Sequence, residues 1–552
     1  MREKASKKLT FWPKAAVAVS VCFLLFIYAP LELFVTNQLE FWFTAGQLLP
    51  HALGLFALGL ALLLLVFFAL RRFAPALCPW AVALGLLVLV CCWIQGSFLV
   101  AHLPGMNGAA VDWDAFPGDR LASILLWLIA AVLIALALIK LGPRRFERLA
   151  GFLSLALCLM LAVTLTTLVL TTDSSEKDRA LVCTDADMFT YSEDESFLIL
   201  VLDAVDETAF EQVLARDARY PDIFDGFTLF GNTVGGYPYS QCSIPLILTG
   251  QWYEAQSSFV EFETAAMESA PFLRELEQTG FRRWLYPYDP SLMVSVREGQ
   301  FENLSVDRPV FSGFLPAAKL LVKMALVKHA PWDLKRFGYD LPGRLNEAMA
   351  FGGEDGTAYY DWSDLAFYKR LRTENPIVTV PEKCWKYLHL EGAHQPHIYD
   401  KDLNVLDDSP YRDVIEGNLL MLDTFFTRMR EAGVYDNTVI VLCADHGSSN
   451  GKDLNTINQN PMLLIKGKNE RHPLRTDDAP ISYDDLQAAY FRLLDGAQSD
   501  AVFDWRAGDA RTRRFFDYEL NNSDVLTEYE QTGHAEDMDT LKPTGRVFEY
   551  KR

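Results

Sequence analysis

The sequence has few cysteines, and after Lys177 it has no dense stripe of Lys and Arg. Its 552 residues carry a formal net charge of -21. Because binding to nucleic acid phosphates requires a local excess of basic residues, we expect no nucleic acid partner. The nine cysteines include no Cys-x-x-Cys pair. A Cys-x-x-Cys metal site is therefore not indicated. Five cysteines lie inside apolar segments and the other four, Cys183, Cys242, Cys384 and Cys443, are widely spaced, so no disulfide framework is indicated, although one bridge among these four stays open.

Long apolar stretches dominate roughly the first 172 residues. Five of them are each close to the ~20 residues that a helix needs to cross a bilayer. The predicted spans are Trp12 to Thr36, Leu49 to Leu70, Leu77 to Val100, Leu121 to Leu141 and Leu149 to Leu170. The first is too long, and is followed by too many similar spans, to be a cleaved signal peptide. We expect residues 1–172 to form a transmembrane domain of five helices.

Basic residues mark alternate loops between these spans. They are Arg2, Lys4, Lys7 and Lys8 before the first span, Arg71 and Arg72 after the second, and Lys140, Arg144, Arg145 and Arg148 between the fourth and fifth. Short loops rich in Lys and Arg stay on the cytoplasmic side of a membrane. The amino terminus is therefore predicted inside, and everything after about Thr172 is predicted outside, in an extracellular or periplasmic location.

The second part of the chain has the composition of a soluble acidic domain. Residues 173–196 are rich in Ser, Thr, Asp and Glu and are predicted to be a solvated linker. Apolar runs from Phe197 and from Thr438 end close to Asp203 and Asp445, which is typical of strands buried on both faces of a largely parallel sheet. Further elements are predicted at Ala265 to Thr279 and Tyr411 to Ala432 as helices, and at Tyr387 to Leu390 and Met462 to Ile465 as strands.

Alternating strands and helices predict an α/β sandwich over residues 197–552, completed by a strand and turn region at 500–552. In such sheets, ligands collect at the carboxyl ends of the strands. Asp203, Asp445 and His446 occupy that edge in the predicted fold. Carboxylates and an imidazole are suitable ligands for a divalent metal, with Zn²⁺ and Mn²⁺ fitting comparably well.

A hydroxyl-rich stretch, Tyr239 to Gly250, supplies the predicted nucleophile. Ser240 would complete the metal shell, and coordination would lower the pKa of its hydroxyl so that it attacks a phosphate ester. Ser243, Tyr239 and Thr249 remain alternatives for that position.

Three histidines lie close together in the sequence between Tyr387 and Ile398. His394, in a Gly-Ala-His-Gln-Pro motif, and His397 are predicted to contact the substrate. His389 lies inside a predicted strand, and we expect it to pack in the core.

The order of these motifs resembles the ectodomains of lipoteichoic acid synthases and lipid A phosphoethanolamine transferases, membrane members of the alkaline phosphatase and sulfatase superfamily. The resemblance implies that one metal is held by Asp203, Ser240, Asp445 and His446, and that His394 contacts the phosphate or a second metal. Ser240 stands where those families use Thr. The second His that often follows their Asp-His-Gly motif is missing between Ser448 and Asn460. Either Asn455, Asn458 or Asn460 replaces it, or only one metal is held.

The resemblance implies a transferase as the leading hypothesis. Ser240 would take a headgroup such as phosphoglycerol or phosphoethanolamine from a membrane phospholipid and pass it to a cell-envelope glycan or polymer. A phosphodiesterase or sulfatase-type hydrolase of an extracellular ester is the alternative, although Cys242-Ser-Ile-Pro lacks the Arg of the sulfatase motif. A third hypothesis is an inactive scaffold that keeps the fold.

Overall fold

The computed structural model describes residues 11–38, 44–103, 113–172, 181–287, 295–305, 314–339, 360, 362–373, 376–406, 408–449, 454, 456–518 and 525–549. The chain forms two compact units. The first comprises Met1–Asp178 and Pro309–Gly353, and the second comprises Arg179–Arg308 and Glu354–Arg552. All nine cysteines are free.

These units divide the chain differently from the predicted boundaries. Residues 309–353, predicted to lie within the catalytic domain, belong to the unit of the apolar helices. Residues 181–196, predicted as part of a solvated linker, belong to the second unit, where Leu181, Phe189 and Tyr191 are buried. The stretch is polar in overall composition, and the prediction therefore missed the few apolar side chains that become buried. The remainder of the predicted linker, residues 173–180, lies outside the described residues.

The α-helices of the described chain follow one another as α1 (Trp12–Thr36), α2 (Ala45–Phe73), α3 (Pro75–Phe98), α4 (Pro117–Leu141), α5 (Pro143–Thr171), α6 (Glu207–Leu214), α7 (Ser240–Thr249), α8 (Phe259–Ser269), α9 (Pro271–Gln278), α10 (Phe314–His329), α11 (Trp332–Lys335), α12 (Asp364–Thr373), α13 (Tyr411–Glu431) and α14 (Leu486–Leu494). Within α1, Leu24–Tyr28 is a π-helical turn.

Helices α1 to α5 are each long and apolar enough to cross a membrane, which confirms the five predicted spans. Prolines stand at the start of α3, α4 and α5, where the first N–H of a helix would be unpaired in any case. Thr44 and Gln47 cap the start of α2 through reciprocal hydrogen bonds. The outward surfaces of these helices are apolar, as a lipid-facing surface requires: Leu65 is 62% exposed and Phe68 is 62% exposed.

The second unit is built on a seven-stranded sheet. Its strands in chain order are β1 (Ser196–Leu202), β2 (Thr228–Phe230), β3 (Phe281–Tyr286), β4 (Lys383–Leu390), β5 (Thr438–Cys443), β6 (Leu463–Lys466) and β7 (Arg475–Asp477). Across the sheet they lie in the order β7-β2-β6-β5-β1-β4-β3. β5, β1, β4 and β3 are parallel neighbours, whereas β6 runs antiparallel to β5 and β2. The prediction of a mixed α/β fold with a largely parallel sheet is confirmed.

Smaller sheets complete the second unit. The C-terminal region forms an antiparallel sheet of β8 (Arg513–Asp517), β9 (Val525–Gln531) and β10 (Leu541–Glu549). Two-stranded pairs join Val182–Cys183 to Leu304–Ser305, Thr190–Ser192 to Val378–Val380, and Thr233–Val234 to Ile481–Ser482. The predicted strand and turn region at 500–552 therefore forms a sheet of its own.

One predicted helix, Ala265 to Thr279, is divided in the structure. α8 ends at Ser269 and α9 begins at Pro271. Ala270 between them has a non-helical backbone, φ -53 and ψ 112. The reason is Pro271, which has no N–H to donate and disfavours a helical conformation in the residue before it.

We expect Leu200→Ala to lower the free energy of unfolding of the second unit by about 2–5 kcal/mol. Leu200 is fully buried at the centre of β1, and truncation would leave a cavity between the sheet and its covering helices. Thermal or denaturant unfolding of the full chain in detergent measures the change. Val547→Ala on β10, where Val547 is 57% exposed, is the control. Equal destabilisation by both substitutions would contradict the central position of β1.

Candidate metal centre at the carboxyl edge of the sheet

The pairing of β1 with β5 brings two acidic residues together. The strands are parallel and in register, with Val201 opposite Cys443. Asp203 and Asp445 each lie two residues beyond this pair, so both reach the same edge of the sheet. Both residues are 0% exposed. The predicted convergence of these carboxylates is present in the structure.

The backbone around Asp203 is held by two neighbouring loops. The N–H of Ala204 donates to Asp445 Oδ1 at 3.1 Å, and the N–H of Ala393 donates to the Asp203 carbonyl at 2.8 Å. Gly392 makes this approach possible, because it has φ +60 and a Cβ there would lie 2.4 Å from the Asp203 nitrogen. The loop after β4 is thereby fixed against the end of β1.

Ser240 is the first residue of α7, and its Oγ lies 3.2 Å from Asp203 Oδ2. The two other predicted hydroxyl alternatives on α7 are engaged elsewhere. Ser243 Oγ donates to the Tyr237 carbonyl, and Thr249 Oγ1 donates to the Pro245 carbonyl at the far end of the helix. Tyr239 stays close to the site, with its ring centroid 6.1 Å from that of His446.

Three ligand atoms face one another in this cluster. His446 Nε2 lies 3.6 Å from Asp203 Oδ1 and 3.6 Å from Asp445 Oδ2. Neither of these carboxylate oxygens has a hydrogen-bond partner, although both are buried. The other ring nitrogen, His446 Nδ1, lies 2.6 Å from the Gly447 carbonyl. Since a carbonyl can only accept, Nδ1 carries a hydrogen, and Nε2 is the nitrogen left to bind a metal.

This arrangement fits a divalent cation. Two buried carboxylate oxygens without partners carry a cost unless a positive charge compensates them. Oxygen and imidazole ligands together suit Zn²⁺ or Mn²⁺. Asp203, Asp445 and His446 would hold the ion, and Ser240 lies close enough to Asp203 to join them.

His389 is a site residue that the sequence prediction misplaced. It is fully buried, as expected, but it does not pack only among apolar side chains: its Nε2 lies 3.3 Å from Asp203 Oδ2. The hydroxyl of Tyr387 lies 3.2 Å from His389 Nδ1. The signal in the sequence was a histidine one residue before the end of a predicted strand, Tyr387 to Leu390.

The two predicted substrate histidines differ in their surroundings. His394 is half-buried on the loop after β4, with its ring 5.8 Å from that of Trp362, and its charge acts on Asp203. His397 is buried, its Nε2 lies 3.1 Å from the Ala393 carbonyl, and its ring packs 5.5 Å from that of Tyr411. The contacts of His397 thus hold the loop together, whereas His394 remains near the carboxylates.

The asparagines considered for a second metal use their amide nitrogens elsewhere, while Oδ1 of Asn458 and Oδ1 of Asn460 are buried without a hydrogen-bond partner. Asn458 Nδ2 donates to the Pro238 carbonyl, and Asn460 Nδ2 donates to Thr208 Oγ1. Asn455 lies outside the described residues. Among the described residues, one group of three or more His, Cys, Asp or Glu residues has its ligand atoms close enough together to hold a metal ion. It consists of Asp203, Asp445 and His446.

Burial and charge act in opposite directions on the titrating groups of the site. Burial raises the pKa of Asp203, but attraction to His394, contact with His389 and attraction to His446 together lower it to about 2. Burial lowers the pKa of His446, and the negative charges of Asp445 and Asp203 outweigh that effect and raise it. Asp203 is therefore ionised at neutral pH, in the form that binds a cation.

No protein family and no curated protein matches the sequence. Several solved structures are similar to it. A phosphonate monoester hydrolase from Silicibacter pomeroyi shares 16% identity over 64% of this chain and 89% of its own, with a TM-score of 0.34. A protein in the alkaline phosphatase superfamily from Vibrio parahaemolyticus shares 14% over 68% and 87%, with a TM-score of 0.33. The 2-O GAG sulfatase BT1596 shares 11% over 62% and 81%, with a TM-score of 0.36.

Two of these similar structures are a sulfatase and a protein of the alkaline phosphatase superfamily, which are the groups that the motifs resemble. The finer resemblance to lipoteichoic acid synthases and phosphoethanolamine transferases stays a prediction. The likeness is too distant to carry a functional argument, so the chemistry must be judged from the side chains of the site.

We expect the purified chain to bind about one divalent ion after removal of its metal and reloading with Zn²⁺ or Mn²⁺. Asp203→Asn and His446→Ala should each lose most of this binding, because each removes a ligand atom. His534→Ala, a partly exposed histidine of the C-terminal region, should keep it. Elemental analysis measures the metal content. Full metal content in both ligand variants would contradict the site, and no metal in the wild type would support an inactive scaffold.

Proposed function

We propose that the chain is a metal-dependent phosphotransferase anchored in a membrane by five helices. Its donor is a phospholipid, its acceptor is a hydroxyl of a cell-envelope glycan or polymer, and its covalent intermediate is a phosphoserine at Ser240. The observation that carries the proposal is the hydroxyl of Ser240, held 3.2 Å from a buried carboxylate that also faces Asp445 and His446.

The position of Ser240 on α7 favours its role as nucleophile. As the first residue of the helix, it lies where backbone N–H groups are not yet paired within the helix and where the helix dipole is positive. Both effects stabilise negative charge on the serine oxygen and on a phosphoryl group attached to it. Asp203 Oδ2 accepts the hydrogen bond of the hydroxyl and orients the oxygen.

A divalent cation held by Asp203, Asp445 and His446 would neutralise phosphate charge and lower the pKa of the Ser240 hydroxyl. Side chains of the protein would bind the phosphate and hold the metal ligands in position. His394, half-buried at the rim and close enough to Asp203 to act on its charge, is placed to contact phosphate oxygens. His389, whose Nε2 lies 3.3 Å from Asp203 Oδ2, helps to hold that carboxylate in place.

The reaction divides into two balanced displacements. The Ser240 oxygen attacks the phosphorus of the headgroup phosphodiester and the bond from phosphorus to the diacylglycerol oxygen breaks. The proton given up by Ser240 goes to that oxygen, which leaves as the hydroxyl of diacylglycerol. An acceptor hydroxyl then attacks the same phosphorus, the bond from phosphorus to the Ser240 oxygen breaks, and the acceptor's proton returns to the serine oxygen. Each step exchanges one phosphorus–oxygen bond for another, so no oxidant or reductant is needed.

A hydrolase of phosphate esters is the second candidate. The first step would be identical, and water would replace the acceptor hydroxyl in the second. Sulfatase chemistry through Cys242 is disfavoured by its environment, because Cys242 is fully buried and burial raises the pKa of its thiol to about 12. Product analysis separates the two candidates: free headgroup phosphate indicates hydrolysis, and headgroup attached to a glycan indicates transfer.

We expect Ser240→Ala to abolish the phosphoserine and to reduce turnover by roughly a thousandfold or more, since the attacking oxygen is removed. Membranes containing the protein are incubated with phospholipid labelled in the headgroup, and label on the chain and on products is measured. Ser243→Ala is the matched control, because its hydroxyl only donates to a backbone carbonyl of the same region. Label that persists on the Ser240→Ala chain would place the nucleophile elsewhere.

We further propose that the second unit faces the outside of the cell. Single cysteines introduced by Lys401→Cys and Arg145→Cys can be tested in intact cells with a maleimide that does not cross membranes. The exposed Lys401 position should react at once, and the Arg145 position, in a basic loop, should react only after the cells are permeabilised. The reverse order of labelling would contradict this orientation.

A further inference from the structure

Residues 314–339, called the basic segment here, interrupt the second unit in sequence but fold with the apolar helices of the first. The basic segment contains four Lys and one Arg against a single Asp. It is therefore a positively charged part of a chain whose net charge is -21. Helix α10 forms most of it, and α11 follows directly.

One face of α10 is buried against the candidate membrane spans. Leu320, Leu321 and Met324 are at most 2% exposed and belong to the same apolar core as side chains of α1 and α3. The segment is thus an integral part of the membrane unit.

Polar contacts fix the carboxyl end of α10 among the spans. Lys328 Nζ pairs with Glu32 of α1, and His329 Nδ1 lies 3.1 Å from the Cys92 carbonyl of α3. The His329 ring fits there because α3 has a glycine at position 96, where a Cβ would lie 2.1 Å from Nδ1. Charged and imidazole groups inside a membrane unit are retained only when they are paired in this way.

The connection to α11 is anchored on a third span. The N–H of Trp332 donates to Ser123 Oγ of α4 at 3.1 Å, and Ser123 Oγ donates to Gln95 Oε1 of α3 at 2.9 Å. The rings of Trp332 and Tyr339 both contact Trp113, with centroid distances of 5.7 and 5.6 Å. Aromatic clusters of this kind are typical of the boundary between lipid and water.

The contacts also give the depth of α10. Glu32 lies four residues before the end of α1, and Cys92 lies six residues before the end of α3, which is about 6–9 Å at 1.5 Å per residue. At the other end of α10, the Phe314 ring stacks 6.4 Å from His51, six residues after the start of α2 and again about 9 Å deep. Both ends of α10 therefore reach a similar depth, as in a helix that lies in the plane of the interface.

The remaining face of α10 combines exposed apolar and basic side chains. Leu315 is 79% exposed and Val322 is 41% exposed, continuing the apolar surface of the spans. Lys319 is exposed and Lys323 is half-exposed, one helical turn apart on this same face. Apolar side chains suit acyl chains, and an ammonium group suits the phosphate of a headgroup at the same depth.

We propose that this face of α10, formed by Leu315, Lys319, Val322 and Lys323, binds a phospholipid with a net negative headgroup. The lipid belongs to the leaflet that contains the end of α1, the end of α3 and the start of α4. The binding requires no chemistry at Ser240 and stands apart from the phosphotransferase proposal.

The test uses the full chain, purified in detergent and mixed with equal amounts of phosphatidylglycerol and phosphatidylcholine. Native mass spectrometry then gives the ratio of the two lipids retained. The wild type should retain phosphatidylglycerol preferentially. Each lysine near an anionic lipid surface strengthens attraction roughly fivefold, so Lys319→Gln/Lys323→Gln should lower the preference by up to about 30-fold at low salt. High salt should weaken the wild-type preference as well.

Two variants control for folding and for charge in general. Lys319→Arg/Lys323→Arg keeps both charges and should keep the preference. Lys401→Gln/Lys542→Gln removes two exposed lysines of the second unit and should also keep it. An unchanged preference in the Lys319→Gln/Lys323→Gln chain would overturn the proposal. So would equal loss of both lipids, or a wild-type dimer that the same substitutions dissociate, because the face would then serve a second copy of the chain.

Discussion

The structure of the site depends on one constraint, the parallel register between β1 and β5. It places Asp203 and Asp445 at the same sheet edge with both side chains fully buried. Each carboxylate has one oxygen with close polar neighbours, Ser240 and His389 for Asp203 and backbone N–H groups for Asp445. The other oxygen of each has no hydrogen-bond partner and faces His446. Neighbouring histidines offset part of the negative charge of Asp203, and a cation beside the two carboxylate oxygens without partners would offset the remainder.

The same cation would determine the chemistry. A phosphate ester repels a nucleophile, and the reaction needs positive charge beside an activated hydroxyl. Ser240 meets the second requirement through its contact with Asp203 and its place at the start of α7. The lipid donor stays a proposal, which the five apolar helices of the same chain favour because the headgroup phosphate of a lipid is confined to the membrane surface.

Much of this architecture follows from local sequence patterns. Runs of apolar side chains specify the five spans and the buried strands β1 and β5, and they fix the position of the acidic residues that follow these strands. Such runs must be buried in lipid or in a protein core, so few structures are open to them. The interruption at Pro271 and the role of His389 were missed for different reasons. Pro271 divides a helix through a local backbone effect that an amphipathic pattern does not reveal. His389 looks like a core residue until the pairing of β4 with β1 brings it to Asp203.

Contacts between segments far apart in the sequence could not be predicted from local sequence patterns. The helix Phe314–His329 is separated from the membrane spans by the first part of the second unit, and its composition resembles any amphipathic helix. Its contacts with Glu32 and Cys92, together with its buried apolar face, assign it to the membrane unit. Likewise, the short strand Thr190–Ser192 lies in a polar stretch, and its place in the second unit depends on pairing with residues 378–380.

The central claim is that the buried carboxylates and the imidazole share one cation. Its most direct test is a crystal structure of the metal-loaded protein, with anomalous scattering recorded at the absorption edge of the metal. The account predicts a single strong peak about 2.0–2.2 Å from a carboxylate oxygen of Asp203, a carboxylate oxygen of Asp445 and Nε2 of His446. A peak bound to other residues, or no peak between two correctly placed carboxylates, would contradict it.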